Sequence, residues 1–142
     1  MANNESIGFL LSETARIWRN KLDQRLRPQG LSQAKWLVLV HLNMAKSELT
    51  QKELSERLGI EGPSLVRQLD RMETDGWVER RASITDRRAK TIHLTAKATE
   101  MIREIKRIAT QLRGELLSDI SPEELGLVSD VLQRIKQRAE QL

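Results

Sequence analysis

Four polar side chains recur on one face of a short predicted helix at residues 63–75. Ser, Arg and Gln side chains can donate hydrogen bonds to phosphates and to base edges in the major groove, where Arg suits guanine and Gln suits adenine. An ordinary solvated helix face has the same spacing, so the stripe alone leaves both interpretations open. The four residues, at positions i, i+3, i+4 and i+7, are Ser64, Arg67, Gln68 and Arg71.

A basic segment at residues 80–90 follows that helix and contains a single acid, Asp86. Like charges crowded on a loop repel one another, and phosphates or a narrow minor groove would relieve that repulsion. Asp86 can hold one neighbouring guanidinium through a charge-assisted hydrogen bond. A solvated charged loop is the alternative, but the position directly after the helix favours a DNA-binding wing. The five cations are Arg80, Arg81, Arg87, Arg88 and Lys90.

The residues before the helix have the pattern of a helix-turn-helix unit. Such a unit needs a small residue where its helices cross, a glycine in the turn and an apolar anchor in the second helix. Ser55, Gly59 and Leu65 stand at those three places. Thr50 and Glu53 form a capping-box pattern that predicts where the first of the two helices begins. The expected small core consists of Leu54, Leu58 and Ile60.

The whole chain is predicted to be mainly α-helical, with one two-stranded hairpin. Apolar residues recur at helical spacing in long segments before and after the winged unit. Short alternating segments at residues 77–81 and 91–94 predict the hairpin, with a polar stretch between them. The predicted helices cover residues 6–26, 33–44, 50–59 and 63–75, with two more that begin at Thr95 and Ser121.

The sequence resembles the MarR family of winged helix-turn-helix regulators, in particular its SlyA-type branch. Residues 59–98, GIEGPSLVRQLDRMETDGWVERRASITDRRAKTIHLTAKA, resemble the family's recognition helix, wing and return strand. Residues 12–39, SETARIWRNKLDQRLRPQGLSQAKWLVL, resemble the opening of the same branch. The resemblance implies an obligate homodimer that binds pseudo-palindromic DNA and often responds to small aromatic acids.

The resemblance also assigns roles to individual residues. Side chains in the major groove would be Ser64, Arg67 and Gln68. Arg88 would enter the minor groove, oriented by Asp86, with Arg87 nearby.

We expect a single domain at residues 1–142, with a winged region at 50–94 and a helical dimerisation region at 6–49 and 95–142. The large apolar residues outside the winged unit are more numerous than one small core needs. A two-fold interface would bury them and set two recognition helices roughly 34 Å apart. A single helical core that absorbs them all is the alternative. The surplus residues are Trp18, Ile105, Leu112, Leu132 and Leu142.

A candidate effector site combines Trp18 and Trp36 with Arg16. Indole rings can stack on an aromatic carboxylate while a guanidinium pairs with its charge. Buried tryptophans are more often plain core residues, and Arg16 can instead pair with an acid such as Glu13. The resemblance places effector pockets in the same region of the fold.

Several other functions are excluded or disfavoured. The chain has no cysteine and only two distant histidines, which we interpret as structural, so we expect no metal and no cofactor. It lacks a nucleophile motif and a phosphate-binding loop, which argues against an enzyme. Without a signal peptide or a long apolar run, we expect a cytoplasmic protein with no membrane contact. We therefore predict a regulator of transcription that binds double-stranded DNA. A winged-helix protein-interaction module is the alternative.

Overall fold

The computed structural model describes residues 4–86 and 88–142. Most of them lie in helices, and a small sheet follows the fourth helix, so the predicted fold class and order of elements are confirmed. A short 3-10 helix, Arg27–Gln29, follows the first helix. The helices are α1 (Ile7–Leu26), α2 (Gln33–Met44), α3 (Gln51–Leu58), α4 (Gly62–Thr74), α5 (Ala96–Leu116) and α6 (Pro122–Glu140). The strands are β1 (Leu49–Thr50), β2 (Val78–Ala82) and β3 (Lys90–Leu94).

Two compact units make up the chain, and the boundary between them falls inside α5. One unit ends at Ala109, and the other begins at Thr110 and contains α6. The predicted single domain at residues 1–142, with a winged region at 50–94 and dimerisation regions at 6–49 and 95–142, stays a prediction.

The helix-turn-helix unit begins and ends where the sequence predicts. Thr50 Oγ1 accepts a hydrogen bond from the Glu53 backbone N–H at 3.1 Å, and the Glu53 carboxylate reaches back to Thr50. Gly59 ends α3 with a φ of 68°, a left-handed conformation that a residue with a Cβ adopts only at a cost. Pro63 lies in the first turn of α4, where the amide that it lacks would have no partner within the helix.

The core of the first unit lies between the helix-turn-helix and the sheet. Leu54 of α3 is fully buried, as are Leu65, Leu69 and Met72 of α4. These four side chains belong to one cluster with residues of α2, the sheet and α5. Ile60 was predicted to join this core, and that prediction was wrong, because its side chain is 39% exposed. It lies between the left-handed Gly59 and the start of α4, outside both helices.

The sheet has three strands rather than the predicted two. Its order is β1-β3-β2, with both pairs antiparallel. The additional strand β1 lies just before α3 and places the buried Leu49 opposite Ile92. The pairing therefore joins the start of the helix-turn-helix directly to the return strand of the wing.

Helices α1 and α6 each leave large apolar side chains exposed. In α1 only Leu26 is buried, and α6 has no buried residue. Ile105 and Leu112 were counted as surplus, but both are buried within the chain, so they do not support a dimer. The exposed residues of α1 are Ile7, Phe9, Leu10, Leu11 and Ile17. Those on α6 are Leu127, Val128, Val131, Leu132 and Ile135, with Leu142 beyond its end.

Candidate nucleic-acid interface

Helix α4 presents a polar face to solvent because its apolar face is fully used. Leu65, Leu69 and Met72 point into the core, so the side chains about half a turn away point outward. Ser64, Arg67 and Arg71 are exposed, and the Arg67 guanidinium lies 3.4 Å from Ser64 Oγ. The first two turns of α4 thus present hydroxyl and guanidinium groups to solvent.

Gln68 lies at the edge of this face rather than at its centre. Its side chain is half-buried. Together with Ser64 it lines a cavity of about 300 Å³ between α4 and α2. Gln68 is therefore less accessible from solvent than Arg67 on the same helix. The remaining lining residues are Ala34, Leu37, Leu58 and Ile60.

Hydrogen bonds within the loop hold the tip of the wing together. The backbone N–H of Arg88 donates to Asp86 Oδ1 at 2.9 Å, and the Ala89 N–H donates to the Asp86 carbonyl at 3.1 Å. Ser83 N–H donates across the loop to the Ala89 carbonyl at 2.9 Å. Asp86 thus orders the backbone beside Arg88, whereas the sequence predicted a contact with a guanidinium. Arg87 lies outside the described residues, and the guanidinium contact stays a prediction.

The described cations of the wing divide into an exposed group and one partly buried residue. Arg88 and Lys90 are exposed. Arg81 is also exposed, and its guanidinium pairs with Glu79 on the same strand at 2.9 Å. The sequence predicted that Arg80 is one of the exposed cations of the wing. Only 19% of its side chain is exposed, so that prediction was wrong for Arg80.

Arg80 turns back from β2 onto α4 and the start of α3. Its Nη2 lies 2.6 Å from Asp70 Oδ1 and 3.0 Å from Glu73 Oε1. Its Nη1 lies 3.5 Å from Gln51 Oε1, and its backbone N–H donates to Glu73 Oε2 at 2.9 Å. Sequence reasoning missed this network, although Asp70 and Glu73 have the i, i+3 spacing that places two side chains on one helix face.

The network changes the pKa values of its members in opposite directions. The backbone N–H of Arg80, followed by its guanidinium, holds the pKa of Glu73 below its ordinary value of 4.5. Partial burial alone would lower the pKa of Arg80, but its hydrogen bonds to Glu73 and Asp70 outweigh burial and raise it. Both groups are therefore charged at neutral pH.

Comparisons with known proteins agree with this fold. A family model described as the MarR family matches residues 29–89. The crystal structure of the transcriptional regulator PA3341 is 47% identical to this chain, with a TM-score of 0.87, and the match covers 95% of this chain and 98% of that one. The chain belongs to the MarR family.

Other solved structures of the family also match nearly the full chain. A MarR-family regulator from Silicibacter pomeroyi is 28% identical, with a TM-score of 0.82, over 94% of this chain and 88% of that one. Wild-type MarR from E. coli is 25% identical, with a TM-score of 0.77, over 91% and 95%. This MarR-family protein is a winged-helix transcriptional regulator and not an enzyme.

The residues proposed for an effector site have different environments in this MarR-family protein. Trp36 is buried, and its indole N–H donates to Asp23 Oδ1 at 3.1 Å. Trp18 is half-buried and Arg16 is exposed. Trp36 belongs to the buried core cluster, so its ring packs within the protein rather than lining an open site. An aromatic acid at this place stays a prediction.

Both histidines take part in local hydrogen bonds. His41 Nδ1 lies 2.9 Å from the Leu37 carbonyl oxygen, and His93 Nε2 lies 2.8 Å from Thr91 Oγ1. Within residues 4–86 and 88–142, no three acidic or histidine side chains are grouped as metal ligands. In the same part of the chain, no helix is long and apolar enough to span a membrane.

The lowered pKa of Glu73 predicts that the protein loses stability as the pH falls. Glu73→Gln should remove this part of the pH dependence, because its amide does not titrate. A carboxyl whose pKa is lower in the folded state stabilises fully above its unfolded value, and this stabilisation is lost as the pH falls through the folded value. We expect Glu73→Gln to be less stable than the parent at pH 7, with the difference shrinking below about pH 4.5. Urea unfolding at pH 7, 5, 4 and 3 measures the difference, and a constant difference would contradict the assignment.

Proposed function

We propose that this protein is a homodimeric, sequence-specific DNA-binding regulator that acts on pseudo-palindromic operators in the cytoplasm. The observation that carries the proposal is the exposed stripe Ser64, Arg67 and Arg71 of α4, followed along the chain by the exposed wing cations Arg88 and Lys90. A helix with such a face suits the major groove, and a basic hairpin suits the adjacent backbone and minor groove.

Each part of this surface has a separate task in the proposal. Ser64, Arg67 and Gln68 contact base edges, with Arg67 the best suited to guanine because its guanidinium can make two parallel hydrogen bonds. Arg71 and Lys90 neutralise phosphates, and that neutralisation supplies most of the salt-dependent affinity. Arg88 enters the minor groove, and the hydrogen bond from its backbone N–H to Asp86 fixes where its side chain starts.

The apolar faces of α1 and α6 support the homodimer. Side chains as large as Phe9 and Leu127 are 80% and 66% exposed in the single chain. Large exposed apolar patches mark interaction sites, and a second copy of the chain would cover each face. A two-fold dimer presents two copies of α4, which accounts for a pseudo-palindromic operator.

Regulation follows from occupancy of the operator. A dimer bound over a promoter blocks polymerase, or displaces another bound protein and so activates. An aromatic acid bound in the region of Trp18 and Trp36 would change the spacing of the two recognition helices, and a small shift misaligns one half-site. The exposed cations of the wing favour DNA over a protein partner as the ligand of this surface.

Substitution of Arg67 or Arg88 by alanine tests the proposal. We expect each variant to bind its selected operator about 5- to 150-fold more weakly, the range for one base or phosphate contact (~1–3 kcal/mol). Arg67→Ala should lose more affinity for the operator than for random duplex, because it removes a base contact. Fluorescence anisotropy over a salt series measures both quantities, and the parent's affinity should fall steeply with salt.

Arg107→Ala serves as the control for these two variants. Arg107 is an exposed arginine on α5 whose guanidinium pairs with Glu104 at 2.6 Å. The Arg107→Ala protein should bind DNA like the parent. Undetectable binding by the parent at low salt, or equal binding by all four proteins, would favour the protein-interaction alternative.

A further inference from the structure

The charge of Arg80 is directed inward, unlike the charges of its neighbours in the wing. Its side chain is 19% exposed, whereas that of Arg81 is 59% exposed. All four of its nitrogen atoms donate hydrogen bonds to α3 or α4, namely the backbone N, Nε, Nη1 and Nη2. Little of this guanidinium remains to contact a phosphate.

Asp70 and Glu73 place two negative charges beside the proposed DNA-contacting face of α4. Asp70 comes directly before Arg71 in the exposed part of the helix, and its side chain is 56% exposed. The Glu73 side chain is 40% exposed. Carboxylates at this position would repel phosphates, and the guanidinium of Arg80 offsets both charges at 2.6 and 3.0 Å.

The same contacts join three elements that must act together on DNA. Arg80 belongs to β2 at the base of the wing, Glu73 to the last turn of α4, and Gln51 to the first turn of α3. Glu73 receives both a backbone and a side-chain hydrogen bond from Arg80. A bidentate contact of this kind restricts direction as well as distance, so it fixes the base of the wing against α4.

We propose that Arg80 is a positioning residue for DNA binding: it holds the wing at one angle to α4 and neutralises Asp70 and Glu73, without touching DNA itself. The inference rests on the proposed DNA-binding function. It explains why an arginine is needed here, because a lysine ammonium cannot reach Asp70, Glu73 and Gln51 in one planar arrangement.

A double-mutant cycle on operator affinity tests this role. We expect Arg80→Met and Arg80→Lys each to bind a selected operator about 10-fold more weakly than the parent. In a protein that already contains Asp70→Asn and Glu73→Gln, we expect Arg80→Met to change affinity by less than about 3-fold, because no carboxylate then needs its charge. Arg81→Met is the matched control, and its effect should be equal in both backgrounds.

Three results would overturn the proposal. Parent-like binding by Arg80→Lys would mean that any cation suffices, as for a direct phosphate contact. An equal loss for Arg80→Met in both backgrounds would mean that the carboxylates are not involved. A lower Tm with unchanged affinity would assign Arg80 a structural role alone. If Arg80→Met fails to fold by circular dichroism, Arg80→Lys and Glu73→Gln still provide the comparison. Failure of the proposed function would appear separately, as absence of operator binding by the parent.

Discussion

Replacing Leu65 with alanine is expected to lower the free energy of unfolding by about 3 kcal/mol, within the range of 2–5 kcal/mol for a buried leucine. Leu65 is 1% exposed and lies in the first half of α4, packed in the same cluster as Leu54 and Leu69. Loss of its three terminal carbons leaves a cavity that two helices and a sheet cannot all move to fill. Urea unfolding at two protein concentrations measures the change and separates it from any contribution of dimer dissociation.

Val66→Ala is the matched control for this substitution, because it shortens the next side chain on the same helix. Val66 is 37% exposed, so its substitution should change the free energy of unfolding by no more than about 0.5 kcal/mol. A loss below about 1 kcal/mol for Leu65→Ala would mean that the helix-turn-helix core collapses around the missing atoms. Equal losses for the two variants would mean that burial is not what distinguishes them.

Ile135→Glu is expected to convert the proposed homodimer to a monomer and to reduce operator affinity by at least about 100-fold. Ile135 is 43% exposed in the single chain and follows Val128 and Val131 on the same face of α6. In a two-fold interface the change introduces two unpaired carboxylates into an apolar contact, which costs several kcal/mol. Loss of the second recognition helix removes the gain from binding two linked half-sites, about 100-fold or more.

Gln133→Glu introduces the same side chain and the same change of charge two residues away on α6. Positions 133 and 135 lie on opposite faces of the helix, so this control should stay dimeric and bind the operator like the parent. Sedimentation velocity over a range of concentrations measures the association, and anisotropy measures the operator affinity. A dimeric Ile135→Glu protein with normal operator binding would exclude this face of α6 from the interface.

Helix boundaries were the most predictable part of the fold, because they depend on a few neighbouring residues. The capping box of Thr50 and the left-handed position of Gly59 require only local chemistry. The strand β1 was missed, because two residues have no period of their own and pair only through β3, about 40 residues later. Ile60 was misplaced for a related reason, since the turn and not hydrophobicity sets the direction of its side chain.

The candidate interface could be predicted as a stripe and a basic loop, but not as a set of pairings. The spacing of residues along α4 predicts which side chains share a face. The exposure of Ser64, Arg67 and Arg71 agrees with that prediction. Spacing says nothing about which partner a wing arginine takes across the fold. Arg80 and Arg81 are indistinguishable in the sequence, yet β2 directs one toward α4 and the other toward solvent.

The strand order β1-β3-β2 has a consequence for self-association of the wings. Strand β3 is central, so only β1 and β2 present unpaired backbone groups at the edges of the sheet. One edge is two residues long, and the other has three charged residues among its five, Glu79, Arg80 and Arg81. Short or charged edges resist the addition of further strands. Copies of the protein at high local concentration therefore have little tendency to join wing to wing or to seed β-aggregates.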